Sequence, residues 1–230
     1  MPRNSGFQKD LQEAVNERHQ ANHPLIDKWA RGEVKRETVA GAIAEHWHWL
    51  SNLLPEAFFN ICAKSPEDVV AMEMENLAEE TDPDNPHLDL IIRFAEACGI
   101  SKAQLDEQRG LPTTEAWCNW ELGVSREQPW IAALAGVHIA SEAQEPYLFS
   151  KILPALRETY QYSEHDLEYW WLHAVADIEH GGRVFDVLER HCTTRERKDL
   201  AIHWAREGAR MKWMFWDGIN LHYEMGYKLQ

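Results

Sequence analysis

At 230 residues, with 44% hydrophobic and 27% charged residues, the chain can bury one sizeable core, so one domain over residues 1–230 is expected. Lys and Arg total 23 against 38 Asp and Glu, and a formal charge of -15 repels polyphosphates and anionic membranes. Nucleic acid and membrane surfaces are therefore excluded as expected partners. Met1 to Asp10 lacks an apolar signal core, and the weakly polar run Pro129 to Ala140 is too short to span a bilayer, so a cytoplasmic location is expected.

Apolar residues recur at helical spacing, and no β-branched run bounded by turn residues reads as a strand, so the predicted class is all-α. Breakers near Asn22-His23-Pro24, Gly32, Ser65-Pro66, Asp82 to Pro86, Gly99, Gly110 to Pro112 and Gln128-Pro129 divide the chain into eight to ten helices. In the early part Glu45 and His48 form Glu-x-x-His, the kind of pair that ferritin-like di-iron bundles use. His46 and His48, two residues apart, point to nearly opposite sides of a helix and cannot serve one metal together.

Ser65 reads as an N-cap ahead of Pro66, Glu67 and Asp68, starting a helix that runs to about Glu80. Thr81 to Pro86 contains two prolines and cannot continue it, so His87 opens the next helix. Three long helices are predicted at roughly 129–160, 164–191 and 194–224, with Pro146 and Pro154 kinking or breaking the first. The four cysteines are scattered without a C-x-x-C pair and read as reduced and structural. The 11 tryptophans read mainly as core fillers, because indoles bury large areas. The cluster Trp47, His48, Trp49 could instead wall an aromatic pocket.

His173, Asp177 and His180 are separated by four and then three residues, which places them on one helical face. Imidazole and carboxylate projecting together suit iron or manganese. An acidic, histidine-rich helix shows such a triplet by accident about once in ten chains of this kind, so other ligands must support it. Glu80 ends a helix before the proline turn leading to His87. Glu142 lies in a weakly charged helix of small residues, where a lone carboxylate needs a partner. Pairing with His138 one turn earlier, or with an arginine, is the structural alternative for Glu142.

Taken together, Asn76-Leu77-Ala78-Glu79-Glu80, the proline turn, His87-Leu88-Asp89-Leu90, Ser141-Glu142-Ala143-Gln144 and His173-x3-Asp177-x2-His180 resemble the haem-oxygenase-like di-iron oxidases and oxygenases. Lys28-Trp29-Ala30-Arg31-Gly32-Glu33 matches an early segment of the family. The nearest resemblance is to its aminobenzoate synthases of chlamydial type. The resemblance implies the helical bundle shared with thiaminase II and pyrroloquinoline-quinone synthase. It also implies six metal ligands in order: Glu80, His87, Glu142, His173, Asp177 and His180, with Glu80 preferred to Glu79 by the seven-residue step to His87.

Two irons, dioxygen as co-substrate, an external electron donor and a homodimer are implied in the same way. Three histidines and three carboxylates around two ferrous ions leave about one positive charge, which suits a carboxylate-bearing substrate such as an amino acid or fatty acid. Ile26, Trp47, His48 and His138 are the expected substrate contacts. At Ile26 and Trp47 the aminobenzoate synthases carry tyrosines, one of them the source of their aromatic product, so the resemblance does not extend to tyrosine self-sacrifice at those positions. A metal-free enzyme of thiaminase or quinone-synthase type, and an iron-binding interaction protein, are the competing expectations.

Overall fold

A computed structural model describes residues 6–52 and 54–229, and all regular structure among them is helical. Among the described residues twelve α-helices follow one another: α1 (Gly6–Asn16), α2 (Pro24–Ala30), α3 (Arg36–Asn52), α4 (Leu54–Cys62), α5 (Glu67–Glu80), α6 (His87–Ala97), α7 (Lys102–Glu107), α8 (Pro112–Glu127), α9 (Trp130–Leu134), α10 (Glu145–Glu158), α11 (Glu168–His191) and α12 (Arg195–Ile219). Three of them, α2, α7 and α9, have seven residues or fewer, which leaves nine of substantial length against the eight to ten expected. No described helix is long and apolar enough to cross a membrane.

The proline turn behaves as predicted: α5 stops at Glu80 and α6 starts at His87, with Pro86 as its N-cap. The start of α5 differs in detail. Pro66 is the N-cap residue, and Ser65 instead donates its hydroxyl to the Ile61 carbonyl at the end of α4.

The predicted helix over 129–160 is a broken one. After α9 the chain makes a π-helical turn, Ala135–Ile139, and then a 3₁₀ turn, Glu142–Gln144, before α10 begins. Neither proline makes this break: Pro146 sits in the first turn of α10, where its missing N–H costs nothing, and α10 runs through Pro154. Close approach of α12 accompanies the π turn. A Cβ on Gly208 would lie 2.3 Å from the Gly136 carbonyl oxygen and 2.4 Å from Ala140 Cβ. Only a glycine permits that contact.

Trp29, Trp49, Trp117, Trp170 and Trp216 are fully buried, as core fillers should be. One apolar cluster gathers α2, α3, α6, α10 and the start of α11. A second gathers α1, α9, the π turn, the end of α11 and the start of α12. The middle of α11 lies where the two clusters adjoin, and it carries the His173, Asp177 and His180 face inward. All four cysteines are unpaired.

Candidate metal centre

Helix α11 buries His173, Asp177 and His180, each less than 5% exposed. The spacing read from sequence therefore does produce one inward face. Opposite it stand Glu80, from the last turn of α5, and His87, from the first residue of α6. The six-residue proline turn folds these two positions back upon each other.

Ligand-capable atoms of Glu80, His87 and His173 all lie within 4.8 Å of one another. His87 Nδ1 is 2.8 Å from Glu80 Oε2, and His173 Nε2 is 3.7 Å from Glu80 Oε1. His173 donates from Nδ1 to the Tyr169 carbonyl at 2.8 Å, which fixes the ring so that Nε2 faces Glu80. Tyr169 and Phe149 pack against the His173 ring and keep that side dry.

Further along α11, His180 Nδ1 is 3.3 Å from Asp177 Oδ1, while His180 Nε2 donates to Glu79 Oε2 at 2.5 Å. Asp177 Oδ2 is buried with no hydrogen-bond partner. Glu142 is coupled by charge to His180, Asp177 and Glu80. Gly181 makes room for this approach, because a Cβ there would sit 3.1 Å from Ala143 Cβ.

The structure thus brings Glu80, His87 and His173 into one tight set, with Asp177, His180 and Glu142 grouped beside it. Between the two adjacent glutamates, Glu80 faces His87 and His173, and Glu79 faces His180 and the Arg183 guanidinium.

The electrostatics are those of carboxylates sharing protons with imidazoles. Burial alone would raise Glu80, but hydrogen bonds and charge from His173 and His87 hold its carboxyl well below the usual range. Burial opposes charge on His173 and His180. Even so, Asp177 and Glu80 push His173 up to about 10, and Asp177, Glu142 and Glu79 push His180 up to about 9. Burial raises Asp177, and the His173 charge only partly offsets this.

Such a site fits a divalent cation. Glu80, His87 and His173 converge, the buried Asp177, His180 and Glu142 lie beside them, and one oxygen of Asp177 has no hydrogen-bond partner.

The rival pair does not converge. Both oxygens of Glu45 are committed elsewhere, accepting from the Leu111 N–H and from the Tyr223 hydroxyl, each at 2.9 Å. His48 lines a cleft of about 430 Å3 with Gln108, Arg109, Glu115 and Cys118. Of the other expected substrate contacts, Ile26 is fully buried in the core and Trp47 packs under the Lys102 ammonium. His138 lies between two carboxylates. Its Nδ1 donates to Glu142 Oε2 at 2.5 Å, and its Nε2 lies 3.0 Å from Glu73 Oε1, close enough for charge pairing but turned away from full hydrogen-bond geometry. The pairing of Glu142 with His138, weighed from sequence as the alternative to metal binding, is therefore formed in the structure.

Sequence reasoning missed Glu73 and the pair Glu145 and Lys212. Glu73 precedes Glu80 by seven residues and so shares its helical face, a signal that was available. Lys212 is fully buried, 3.6 Å from Glu145 and 3.8 Å from the centre of the Trp117 ring. Burial pushes Glu145 up to about 8 against the pull of Lys212. Nothing in the local pattern of α12 marks that lysine as internal.

Residues 46–213 match the family model described as iron-containing redox enzyme. The chain belongs to that family. It is 25% identical to the 4-aminobenzoate synthase of Nitrosomonas europaea, over 94% of this chain and 92% of the relative. To the 4-aminobenzoate synthase of Chlamydia muridarum it is 24% identical, over 93% of this chain and 89% of the relative. The fold is similar to a Shewanella denitrificans domain of unknown function with a haem-oxygenase-like fold, at TM-score 0.78 and 16% identity over 94% and 91% of the two chains. A TenA-like thiaminase candidate from Sulfolobus solfataricus superposes at TM-score 0.73 and 13% identity, over 97% of this chain and all of the other. The family model thus places the chain among the iron-containing redox enzymes, and the structural likenesses show a haem-oxygenase-like fold.

Proposed function

We propose that this iron-containing redox enzyme is a non-haem di-iron oxidase or oxygenase that uses dioxygen on a small carboxylate-bearing substrate, an amino acid being the preferred class. The observation that carries the reading is the convergence of half-buried Glu80 and His87 with buried His173 within 4.8 Å, continued along α11 by Asp177 and His180.

Glu80, His87 and His173 would hold one iron, and Glu142, Asp177 and His180 the other. When bound, the irons would supply dioxygen activation and electron transfer, with an external reductant returning the centre to its ferrous state. The chain supplies the rest. Tyr169 and Phe149 exclude water on the His173 side, and the Tyr169 carbonyl keeps Nε2 of that ring turned inward. Glu79, bridged to Arg183, fixes the tautomer and direction of His180.

An apolar recess of about 30 Å3 beside Glu80 and His87, lined by Leu50, Pro55, Leu77 and Leu88, is the proposed approach to the centre. A net charge near plus one on the loaded site favours an anionic or zwitterionic substrate.

A 4-aminobenzoate synthase activity is the second reading, favoured by the two relatives' names. Ile26 and Trp47 do not provide phenols, so this reading would require another donor of the aromatic ring.

Anaerobic titration with ferrous iron, followed by oxygen exposure across a panel of amino and fatty acids with stopped-flow absorbance, tests the proposal. Two irons per chain and a substrate-triggered visible transient are expected. Absence of iron uptake would refute the proposal and point to a metal-free enzyme. Iron uptake without substrate-dependent oxygen consumption would point to an iron-binding protein.

A further inference from the structure

Glu142 differs from the other five candidate ligands in its support. Four of those lie on the regular helices α5 and α11, and His87 opens α6. Glu142 opens a three-residue 3₁₀ turn behind a π turn, after Ser141 at φ -124 and ψ -84. An intact α-helix fixes the direction of a side chain through its backbone ladder, but this segment has no such ladder. Side-chain contacts, rather than the 3₁₀ turn's own backbone, must aim the carboxylate.

We infer that His138 is the residue that does so: held by Glu73 and Phe58, it is a positioning residue that turns Glu142 toward Asp177 and His180. The inference rests on the di-iron reading above. Three contacts define it. His138 Nδ1 donates to Oε2 of Glu142, so that Oε1 is the oxygen that would serve a metal. Glu73, on the same face of α5 as Glu80, lies 3.0 Å from the opposite ring nitrogen. Phe58 from α4 stacks on the imidazole face, with centroids 5.0 Å apart and planes at 27°.

Nδ1 is fixed by a hydrogen bond, Nε2 faces the Glu73 carboxylate as a charge pair, and Phe58 covers one ring face, which together favour a single orientation of the imidazole. Glu73, His138 and Glu142 are all buried, and neither oxygen of Glu73 has a hydrogen-bond partner, so the His138 ring is the charge that faces it. The row carries position from α5 to the 3₁₀ turn through a carboxylate, an imidazole and a second carboxylate. It is not a third metal site, because His138 presents a different nitrogen to each carboxylate.

The test is an anaerobic titration with ferrous iron and, in parallel, with cobalt(II), whose visible absorption reports each site. Wild type is compared with His138→Leu, His138→Asn and Glu73→Gln, and thermal unfolding checks the fold of each. In His138→Leu one ion should bind as in wild type and the other roughly 10- to 100-fold more weakly. His138→Asn, which keeps an N–H donor near Nδ1, should recover most of that loss, and Glu73→Gln should show a smaller loss at the same ion.

Equal affinities in wild type and a folded His138→Leu would overturn the inference. So would tighter binding in His138→Leu, which would make His138 a competitor for Glu142. If His138→Leu fails to fold, unchanged affinity in both His138→Asn and Glu73→Gln would overturn it, and a loss confined to one ion in Glu73→Gln would support it. A wild type that takes up no second ion would instead refute the di-iron reading, and the positioning role with it.

Discussion

Loading the site should release protons, and the amount follows from the geometry. In the metal-free protein His173 titrates near 10 and His180 near 9, so both rings are imidazolium at pH 7.5. A metal ligand must be neutral imidazole, so filling both sites displaces about two histidine protons per chain. The overall binding constant for two ions should then rise about a hundredfold for each pH unit between 6.8 and 8, equivalent to about 2.7 kcal/mol per unit.

Cobalt(II) titrations at several pH values, with calorimetry in buffers of differing ionisation enthalpy, measure both quantities. A proton release below about half a proton per chain, or affinity flat with pH, would show that His173 and His180 are not protonated in the empty site and would refute the argument. The same shifts fix the sign for the empty protein. A histidine whose folded pKa is raised stabilises the fold below its unfolded value of 6.5, and that stabilisation is lost as pH rises through the folded values near 9 to 10. Metal-free protein should thus lose stability from pH 6.5 upward, and bound metal should reverse the trend.

His173→Ala should abolish binding of at least one iron. Glu45→Ala should retain both while losing about 2 to 4 kcal/mol in urea unfolding, because the Leu111 N–H and the Tyr223 hydroxyl lose their acceptor. Iron loss in the Glu45 variant alone would restore the ferritin-like assignment. Gly208→Ala should cost at least about 2 kcal/mol, since its Cβ meets the Gly136 carbonyl at 2.3 Å; an unchanged midpoint in denaturant would show that α12 shifts freely. Lys212→Met should destabilise by about 3 kcal/mol because it strands Glu145 and Glu121 in the core, and adding Glu145→Gln should return most of that loss. A double variant no better than the single would show that the lysine stem, not its charge, matters.

The helical class, the two flanks of the proline turn and the inward face of α11 were legible because each depends on local chemistry. Period 3.6, the missing proline donors, and the four-then-three spacing all act within a few residues. What was not legible depends on contacts far apart in sequence. The 135–144 break could not be read because its cause is not in its own composition: α12 presses Gly208 onto Gly136, and the weakly charged run from Ala132 to Ala140 looks like ordinary helix. Glu45 looked like a ligand because Glu-x-x-His is a local pattern, whereas its actual partners, Leu111 and Tyr223, lie 66 and 178 residues away. Lys212 was invisible because a single buried lysine needs partners from other helices, here Glu145 and the Trp117 ring.

Those long-range contacts also explain why the centre calls for a cation. Metal-free, the buried site balances itself with protons: Asp177 and Glu145 are driven above their usual range by burial, and His173 and His180 are held charged by the carboxylates around them. A core that only needed packing would lower its energy by replacing such groups with apolar ones, since buried ion pairs contribute little to stability. Keeping six of them inward on α5, α6, α11 and the 3₁₀ turn is costly unless something with more than unit charge replaces the protons. Metal affinity, acid lability of the loaded form and loss of stability on raising the pH of the empty form should therefore vary together across the ligand variants. A ligand substitution that removed iron yet left the empty protein's pH dependence unchanged would break that link.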